Sequence, residues 1–257
     1  KKDGNSFTFD VGDVLFDYTT ENIFEMEPKS IQPMYQAMRI VNYDAIVLGN
    51  HEFDYGYDYI MKQIQGAGLM NKCVVSNIKD AKTGKNVFQE NKIISREVTT
   101  KSGKKVTLDI GIIGETIPIL SKKRENYIGE LVTEDIVVNA TEQAKKLKKE
   151  GADIIVVLAH SGMGSENPTE FSKNVSYALT KIKEVDVVLC GHEHNLFPSK
   201  NAKYSKYYEL SGVNKKTGLV NGKNLVMVND KGQNIGIVDM TVKVSGSKKT
   251  ITKRSSA

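Results

Sequence analysis

The sequence of 257 residues has no tryptophan, only two cysteines and only five prolines. Cys73 and Cys190 lie far apart in apolar runs, so we expect two buried free thiols and no disulfide framework. The longest uninterrupted apolar run, 154–159, is too short to cross a bilayer. No stripe of arginine with interleaved aromatic residues is present, which argues against readout of nucleic acid.

The composition is that of an ordinary globular protein, with 26% charged and 39% hydrophobic residues. The net charge of +5 comes from scattered lysines, which indicates a solubilising surface and a weak attraction for anions. A chain of this length can form one large domain or two small ones. Because neither a repeat nor an internal linker is evident, we predict one domain.

Apolar β-branched runs alternate with helical patterns, which predicts a layered α/β fold. Predicted strands cover 6–11, 45–48, 73–76, 93–98, 106–113, 154–158 and 186–190, and predicted helices cover 33–41, 58–64, 133–150 and 174–182. The first helix presents an apolar face of Met34, Ala37, Met38 and Val41. In the longest helix Thr133 is the predicted N-cap, and the predicted buried stripe is Ile136, Ala140, Ala144 and Leu147.

After Gly191 the sequence changes to short apolar segments separated by glycine-rich turns. The segments 207–210, 225–228 and 235–244 predict hairpin strands of a second sheet. The polar, basic segment 245–257 predicts a fraying tail.

The four histidines all lie in three short motifs, Gly49-Asn50-His51-Glu52, Leu158-Ala159-His160-Ser161 and Gly191-His192-Glu193-His194. Each motif follows a run that is typical of a buried strand. Side chains at the ends of adjacent parallel strands converge on one edge of a sheet, where α/β folds place their ligand sites. Imidazole is also the commonest metal-binding side chain. The pattern therefore predicts a metalloenzyme.

Two oxygen ligands accompany the histidines at these strand ends. Asp13 follows Gly12 after the first strand, and Asn50 follows the second. Taken singly, Asp13 could be a turn residue, Asn50 a helix N-cap and His160 a hydrogen-bonded strand end. Five such residues at four strand ends instead favour a pair of divalent metals.

The spacing of His192 and His194 directs their side chains to opposite sides of the segment. It suits one histidine on each of two metals, or one on a metal and one on the substrate. Glu193 would then point away, and we assign it no catalytic role.

In order and spacing, Gly12-Asp13, 49–52, His160 and 191–194 resemble the calcineurin-like metallophosphoesterases. The stretches 50–56 and 158–164 resemble the branch of 5′-nucleotidases and cyclic-nucleotide phosphodiesterases. The stretches 174–179 and 191–198 look closest to bacterial 2′,3′-cyclic-nucleotide 2′-phosphodiesterase/3′-nucleotidase proteins. The resemblance implies a four-layer αββα sandwich with mixed sheets flanked by helices.

The resemblance also implies a set of five ligands for two divalent metals, namely Asp13, Asn50, His160, His192 and His194. Asp13 would bridge the metals, His194 would bind the first, and the other three would bind the second. His51 would lie beside the scissile phosphate without binding metal, and Asp54 would hold its imidazole protonated and oriented. Manganese, zinc, iron, cobalt and magnesium all remain open, because mixed nitrogen and oxygen ligands accept most of them. No substrate-binding residue is identified.

One feature of the family is missing from the sequence. The first metal also needs an Asp-x-His motif before Gly12, but Asp3 has no histidine two residues later and Asp10 is followed by Gly12. The family's C-terminal domain, which stacks on the nucleobase, is not recognised either. We therefore expect a fragment of a longer protein. Residues 1–244 would form the catalytic domain without its opening strand, and 245–257 a tail or the start of a linker.

The expected activity of the intact protein is hydrolysis of nucleotide phosphoesters by a metal-activated water, most specifically as a 2′,3′-cyclic-nucleotide 2′-phosphodiesterase/3′-nucleotidase. A 5′-nucleotidase or UDP-sugar hydrolase is the alternative. The fragment alone could be inactive, and a degenerate phosphoesterase or a non-catalytic binding module is the alternative of another class. A zinc peptidase or deaminase is disfavoured, because no His-Glu-x-x-His or Cys-x-x-Cys element exists. The family implies a bacterial protein of the periplasm, cell wall or medium.

Overall fold

The computed structural model describes residues 4–15, 18–27, 29–118 and 131–257. The helices are α1 Tyr18–Met26, α2 Pro33–Val41, α3 Tyr57–Gly66, α4 Ile136–Lys149 and α5 Ser176–Leu179, and two 3₁₀ helices cover His51–Tyr55 and Ala202–Glu209. The strands are β1 Phe9–Asp10, β2 Ala45–Ile46, β3 Ile78–Asp80, β4 Asn91–Thr99, β5 Lys105–Thr116, β6 Leu131–Thr133, β7 Ile154–His160, β8 Val187–Cys190, β9 Leu219–Val220, β10 Lys223–Met227, β11 Val238–Ser245 and β12 Lys248–Ser256.

The largest sheet has six strands in the order β4-β5-β7-β8-β10-β9. Its four central strands are parallel to one another, and β4 and β9 are antiparallel edge strands. Every residue of β7 is buried, as expected for a continuous apolar run in a parallel strand that is covered on both faces. The strand pair predicted around the polar turn near 101–104 is confirmed as β4 and β5.

A smaller sheet pairs β1 with β2 in parallel and is extended by a bridge between Ile46 and Cys73. One core cluster joins helices α2 and α3 to this small sheet and to one face of the large sheet. A second cluster joins α4 and α5 to the opposite face of the large sheet. The layers thus run helix, sheet, sheet, helix, and the predicted α/β architecture of mixed sheets flanked by helices is confirmed. Among the residues placed by the structure, no helix has the length and hydropathy to span a membrane.

Helix α2 has the predicted bounds, but of its predicted apolar face of four residues only Met38 is buried. Met34 is 56% exposed and Val41 is 52% exposed, whereas Tyr35 and Met38 are buried. Ala37 is exposed as well. Burial of the large Tyr35 ring removes more apolar surface from water than burial of Ala37 or Val41 would.

The start of helix α4 also differs from the prediction. Asp135 is the N-cap, because its carboxylate accepts hydrogen bonds from the N–H groups of Val137 (2.9 Å) and Val138 (3.0 Å). Thr133 instead ends strand β6, which pairs with β3. The predicted apolar stripe of this helix is buried.

Of the three segments predicted after Gly191 as hairpin strands of a second sheet, only 235–244 is confirmed, as strand β11 in a separate sheet with β12. Residues 207–210 lie at the end of the 3₁₀ helix and not in a strand. Strand β10 joins the large sheet beside β8, so 225–227 do not belong to a second sheet. Short runs of aromatic and apolar residues are compatible with a helix or with a strand, and tertiary packing determines which one forms here.

The predicted tail is a regular strand, β12, which forms an antiparallel hairpin with β11. Its cations attach it to the base of the large sheet. Lys249 Nζ lies 2.6 Å from Asp153 Oδ2, and Arg254 Nη2 lies 2.8 Å from Asp186 Oδ1. The basic residues that led to the prediction of a fraying tail therefore form ion pairs with residues that are distant in the sequence.

Candidate metal centre

Three of the five predicted ligands meet at the carboxyl edge of the parallel strands. Asp13 follows β1, His160 is the last residue of β7, and His192 follows β8. One ligand atom from each lies within 4.8 Å of the others. His160 Nε2 is 3.1 Å from Asp13 Oδ2, and the two imidazole rings are 5.3 Å apart at their centroids. The strand order that places β7 beside β8 brings these rings together.

His160 is buried and is oriented by the backbone. Its Nδ1 lies 2.8 Å from the carbonyl oxygen of Val11. A carbonyl only accepts, so Nδ1 carries the proton and the lone pair of the neutral ring is on Nε2, which faces Asp13. Burial acts to lower the pKa of His160, but the Asp13 carboxylate outweighs burial and raises it.

Asp13 and His192 are held in the charge states that metal binding needs. Burial acts to raise the pKa of Asp13, but the contact with His160 outweighs burial, so the pKa lies below its usual value. Burial, assisted by the neighbouring His160, lowers the pKa of His192 to about 4. Near neutral pH the site thus offers an ionised carboxylate and an imidazole with a free lone pair.

Asn50 is a fourth candidate donor, in the loop just before His51, whose N–H bonds to Asp13. It stands at the N-cap position of the 3₁₀ helix His51–Tyr55, yet its side chain makes no cap hydrogen bond. Among the described residues its buried Oδ1 has no hydrogen-bond partner. A buried acceptor without a partner is destabilising by about 1–3 kcal/mol, and a cation would remove this penalty. One carboxylate, one amide oxygen and two imidazoles fit a divalent metal.

Glycine is required on both loops that carry the oxygen donors. A Cβ at Gly49 would lie less than 3.0 Å from atoms of Asp13 and His160. Gly12 has φ +87°, and a Cβ there would overlap the backbone of Gly49. The two loops therefore touch through their backbones, and this contact allows the ligands to converge.

His194 lies outside this cluster. Its Nδ1 is 4.0 Å from Asp230 Oδ2, and its side chain is 40% exposed. Within the described part of the chain, the only group of three or more such ligands is that of Asp13, His160 and His192. His194 thus stays a predicted ligand of a first metal.

The predicted pair of His51 and Asp54 is in hydrogen-bond contact. Nδ1 of the histidine lies 2.7 Å from Oδ2 of the aspartate, and both side chains are partly exposed. Burial acts to lower the pKa of His51, but the Asp54 carboxylate outweighs burial and raises it. The backbone N–H of His51 donates to Asp13 Oδ1 at 2.9 Å, so this pair is fixed directly beside the cluster.

Glu52 is the residue whose role the sequence reasoning missed. Its side chain is fully buried and accepts four backbone N–H groups. Three come from the loop after β1, at Asp13 (2.9 Å), Val14 (2.6 Å) and Leu15 (3.1 Å), and one comes from Gly49 (2.5 Å). Burial raises the pKa of Glu52. Its carboxylate ties together the two loops that hold the oxygen donors. The available signal was an acidic residue next to His51 in the motif 49–52.

Comparison with known proteins identifies the family. The calcineurin-like phosphoesterase model matches residues 1–196. The chain is 32% identical over 244 residues to a 2′,3′-cyclic-nucleotide 2′-phosphodiesterase/3′-nucleotidase of Yersinia enterocolitica, covering 93% of the chain and 36% of that protein. It is 27% identical over 220 residues to a 5′-nucleotidase of Vibrio parahaemolyticus, covering 84% of the chain and 37% of that protein. The chain thus spans about a third of the length of these relatives.

The fold comparison agrees. The crystal structure of the calcineurin-like phosphoesterase YfkN from Bacillus subtilis matches with a TM-score of 0.90 and 27% identity, over 100% of this chain and 77% of that one. A 5′-nucleotidase precursor from Thermus thermophilus matches with a TM-score of 0.66 and 25% identity, over 97% of this chain and 44% of that one. The family and the names of these relatives indicate a hydrolase. The chain belongs to the calcineurin-like phosphoesterase family.

Proposed function

We propose that this chain is the metal-binding catalytic part of an enzyme that hydrolyses nucleotide phosphoesters, with 2′,3′-cyclic nucleotides and 3′-nucleotides as preferred substrates. The observation that carries the proposal is the convergence of Asp13, His160 and His192. The buried, unpartnered Oδ1 of Asn50 supports it, because Asn50 directly precedes His51, whose N–H bonds to Asp13. The substrate class is supported by relatives at 32% identity that are named for this activity.

Asp13, His160 and His192, together with Asn50, would hold one divalent cation. Asp13, which has a second carboxylate oxygen, and His194 would contribute to a second cation. When bound, such cations lower the pKa of a coordinated water and neutralise charge on the phosphate oxygens. The Val11 carbonyl and Glu52 would keep His160 and Asp13 in the orientation that this binding needs.

His51 and Asp54 would handle the proton of the leaving group. Asp54 accepts from Nδ1 and favours the charged imidazolium, so Nε2 can donate a proton to the departing oxygen. A binding module without catalytic activity has no chemical need for this pair. The pair therefore favours an enzyme over a scaffold that only keeps the fold.

The test compares three proteins by metal content and turnover. His160→Ala should lose bound manganese and all metal-dependent hydrolysis of 2′,3′-cyclic AMP. His51→Ala should keep its manganese but lose about 10²–10⁴-fold in rate. Wild-type metal content in the first variant would refute the ligand assignment, and loss of metal in the second would refute the acid role.

A 5′-nucleotidase is the second candidate, favoured by the 27% identity to the Vibrio parahaemolyticus enzyme. Turnover of 5′-AMP well above that of 2′,3′-cyclic AMP and 3′-AMP would select it.

We further propose a substrate-specificity domain outside these residues and export from the cytoplasm. The greater length of the relatives supports the first, and the likeness to a 5′-nucleotidase precursor supports the second.

A further inference from the structure

The turn that carries His192 and His194 has an unusual backbone. Both histidines have positive φ angles, 69° and 49°, in the left-handed region that residues with a Cβ rarely adopt. Such a conformation persists only where contacts around it hold it in place. The residue between the two histidines, Glu193, provides contacts of this kind.

Glu193 links the turn to two other parts of the protein. Its Oε2 accepts hydrogen bonds from the N–H of Met163, at 2.9 Å, and from the hydroxyl of Tyr207, at 3.2 Å. Asn195 Nδ2 also donates to the Tyr207 hydroxyl, at 2.6 Å. A Cβ at Gly162 would overlap the side chain of Glu193, so this glycine makes room for the contact. We call the paired side chains of Glu193 and Tyr207 the carboxylate latch.

The latch connects the two loops that present imidazoles to the metal centre. Met163 lies three residues after His160, at the end of β7, and Glu193 directly follows His192 after β8. The bond from Met163 N to Glu193 therefore sets the distance between these loops. Tyr207 is a rigid anchor, because it is 4% exposed and packs edge-on against Phe197 with ring centroids 6.3 Å apart.

We propose that the carboxylate latch is a positioning device that holds His192 in its metal-binding orientation against His160. Glu193 itself is outside the described ligand cluster, and its Oε2 already accepts two hydrogen bonds. It acts by stabilising the left-handed turn and the spacing of the two loops. This inference rests on the proposed function, because it needs His192 to be a ligand.

The experiment measures Mn²⁺ affinity from the electron paramagnetic resonance signal of the free ion, together with thermal unfolding. Glu193→Ala removes both hydrogen bonds and should weaken binding about tenfold. Glu193→Gln keeps an amide oxygen that can accept from both donors, so its affinity should stay close to that of the wild type. Tyr207→Phe removes one of the two hydrogen bonds, so its Mn²⁺ affinity should lie between those of Glu193→Ala and Glu193→Gln. Tyr208→Phe is the matched control, since Tyr208 lies beside Tyr207 in the same 3₁₀ helix, but its hydroxyl accepts from Ser199 N.

His192→Ala separates the two hypotheses. If this variant loses Mn²⁺ but Glu193→Ala binds it like the wild type, the latch is refuted and the proposed function stands. If His192→Ala binds Mn²⁺ like the wild type, the ligand assignment fails and the latch fails with it. If Glu193→Ala does not fold, Tyr207→Phe tests whether the latch supports Mn²⁺ binding. Weaker binding there than in Tyr208→Phe supports the latch, and equal binding overturns it.

Discussion

Replacing Glu52 by alanine should destabilise the protein more than replacing any exposed carboxylate. The side chain is 0% exposed, and its two oxygens accept four backbone N–H groups from two loops. Removing it leaves these donors in a cavity. Each buried donor without a partner is destabilising by about 1–3 kcal/mol, so full loss would amount to roughly 4–12 kcal/mol.

Two effects reduce that figure. Water can enter the cavity and bind some of the donors, and the cost of burying a carboxylate disappears with the side chain. We therefore expect a loss near the lower end of this range, about 3–5 kcal/mol, in the free energy of unfolding. This is a large share of the about 5–15 kcal/mol that a typical domain has.

Urea unfolding followed by circular dichroism, with metal removed, gives the free energy directly. Glu52→Gln is an informative variant, because each carboxylate oxygen serves two donors. An NH₂ group at either end would face two N–H groups, so this variant should also lose stability, by about 2 kcal/mol. Glu97→Ala is the control. Its ion pair with Lys105 is exposed and should contribute less than about 1 kcal/mol. Equal stability of Glu52→Ala and Glu97→Ala would show that the hydrogen bonds to Glu52 do not stabilise the fold.

Three further outcomes follow from the geometry. Gly49→Ala should reduce Mn²⁺ affinity at least about tenfold, because the methyl group would overlap ligand side chains, and a titration that matches the wild type would contradict this. Asp135→Ala should lower the free energy of unfolding by about 1 kcal/mol, because the N-cap of helix α4 is lost. Thr133→Ala is the control, and a larger loss of stability there would contradict the assignment of Asp135 as the cap. Arg254→Ala should lower the free energy of unfolding by about 2 kcal/mol, since the guanidinium donates twice to Asp186, and an unchanged urea midpoint would show that the hairpin β11–β12 is held by other contacts.

The parts of the fold that the sequence predicts well are those governed by local pattern. The run 154–158 is apolar throughout and β-branched at most positions, and it forms the buried central strand β7. Helix α3 lies where its pattern places it, close to the glycines at 66 and 68. The convergence of Asp13, His160 and His192 was also foreseeable, because all three follow strands whose ends share one edge of the fold.

The parts that were missed depend on contacts between distant residues. Glu193 lies outside the ligand cluster, as expected, but its bond from Met163, 30 residues earlier, could not be predicted. Strand β12 was predicted to be a basic tail, because Asp153 and Asp186, the partners of its cations, lie far from it in the sequence. Asp135 and Thr133 are both good caps, and only the pairing of β6 with β3 decides between them.

The bond from His160 to the carbonyl of Val11 joins residues that are 149 positions apart in the chain. Closing so long a loop is entropically costly, and structures dominated by such contacts fold slowly. During synthesis, the loop after β1 leaves the ribosome long before β7 and β8 exist to complete the centre. With His192 as a proposed ligand, the set of ligands is complete only after β8 has joined the large sheet. A cation that binds only the finished fold then stabilises it by mass action, so metal supply would set both the activity of the protein and its survival against proteolysis.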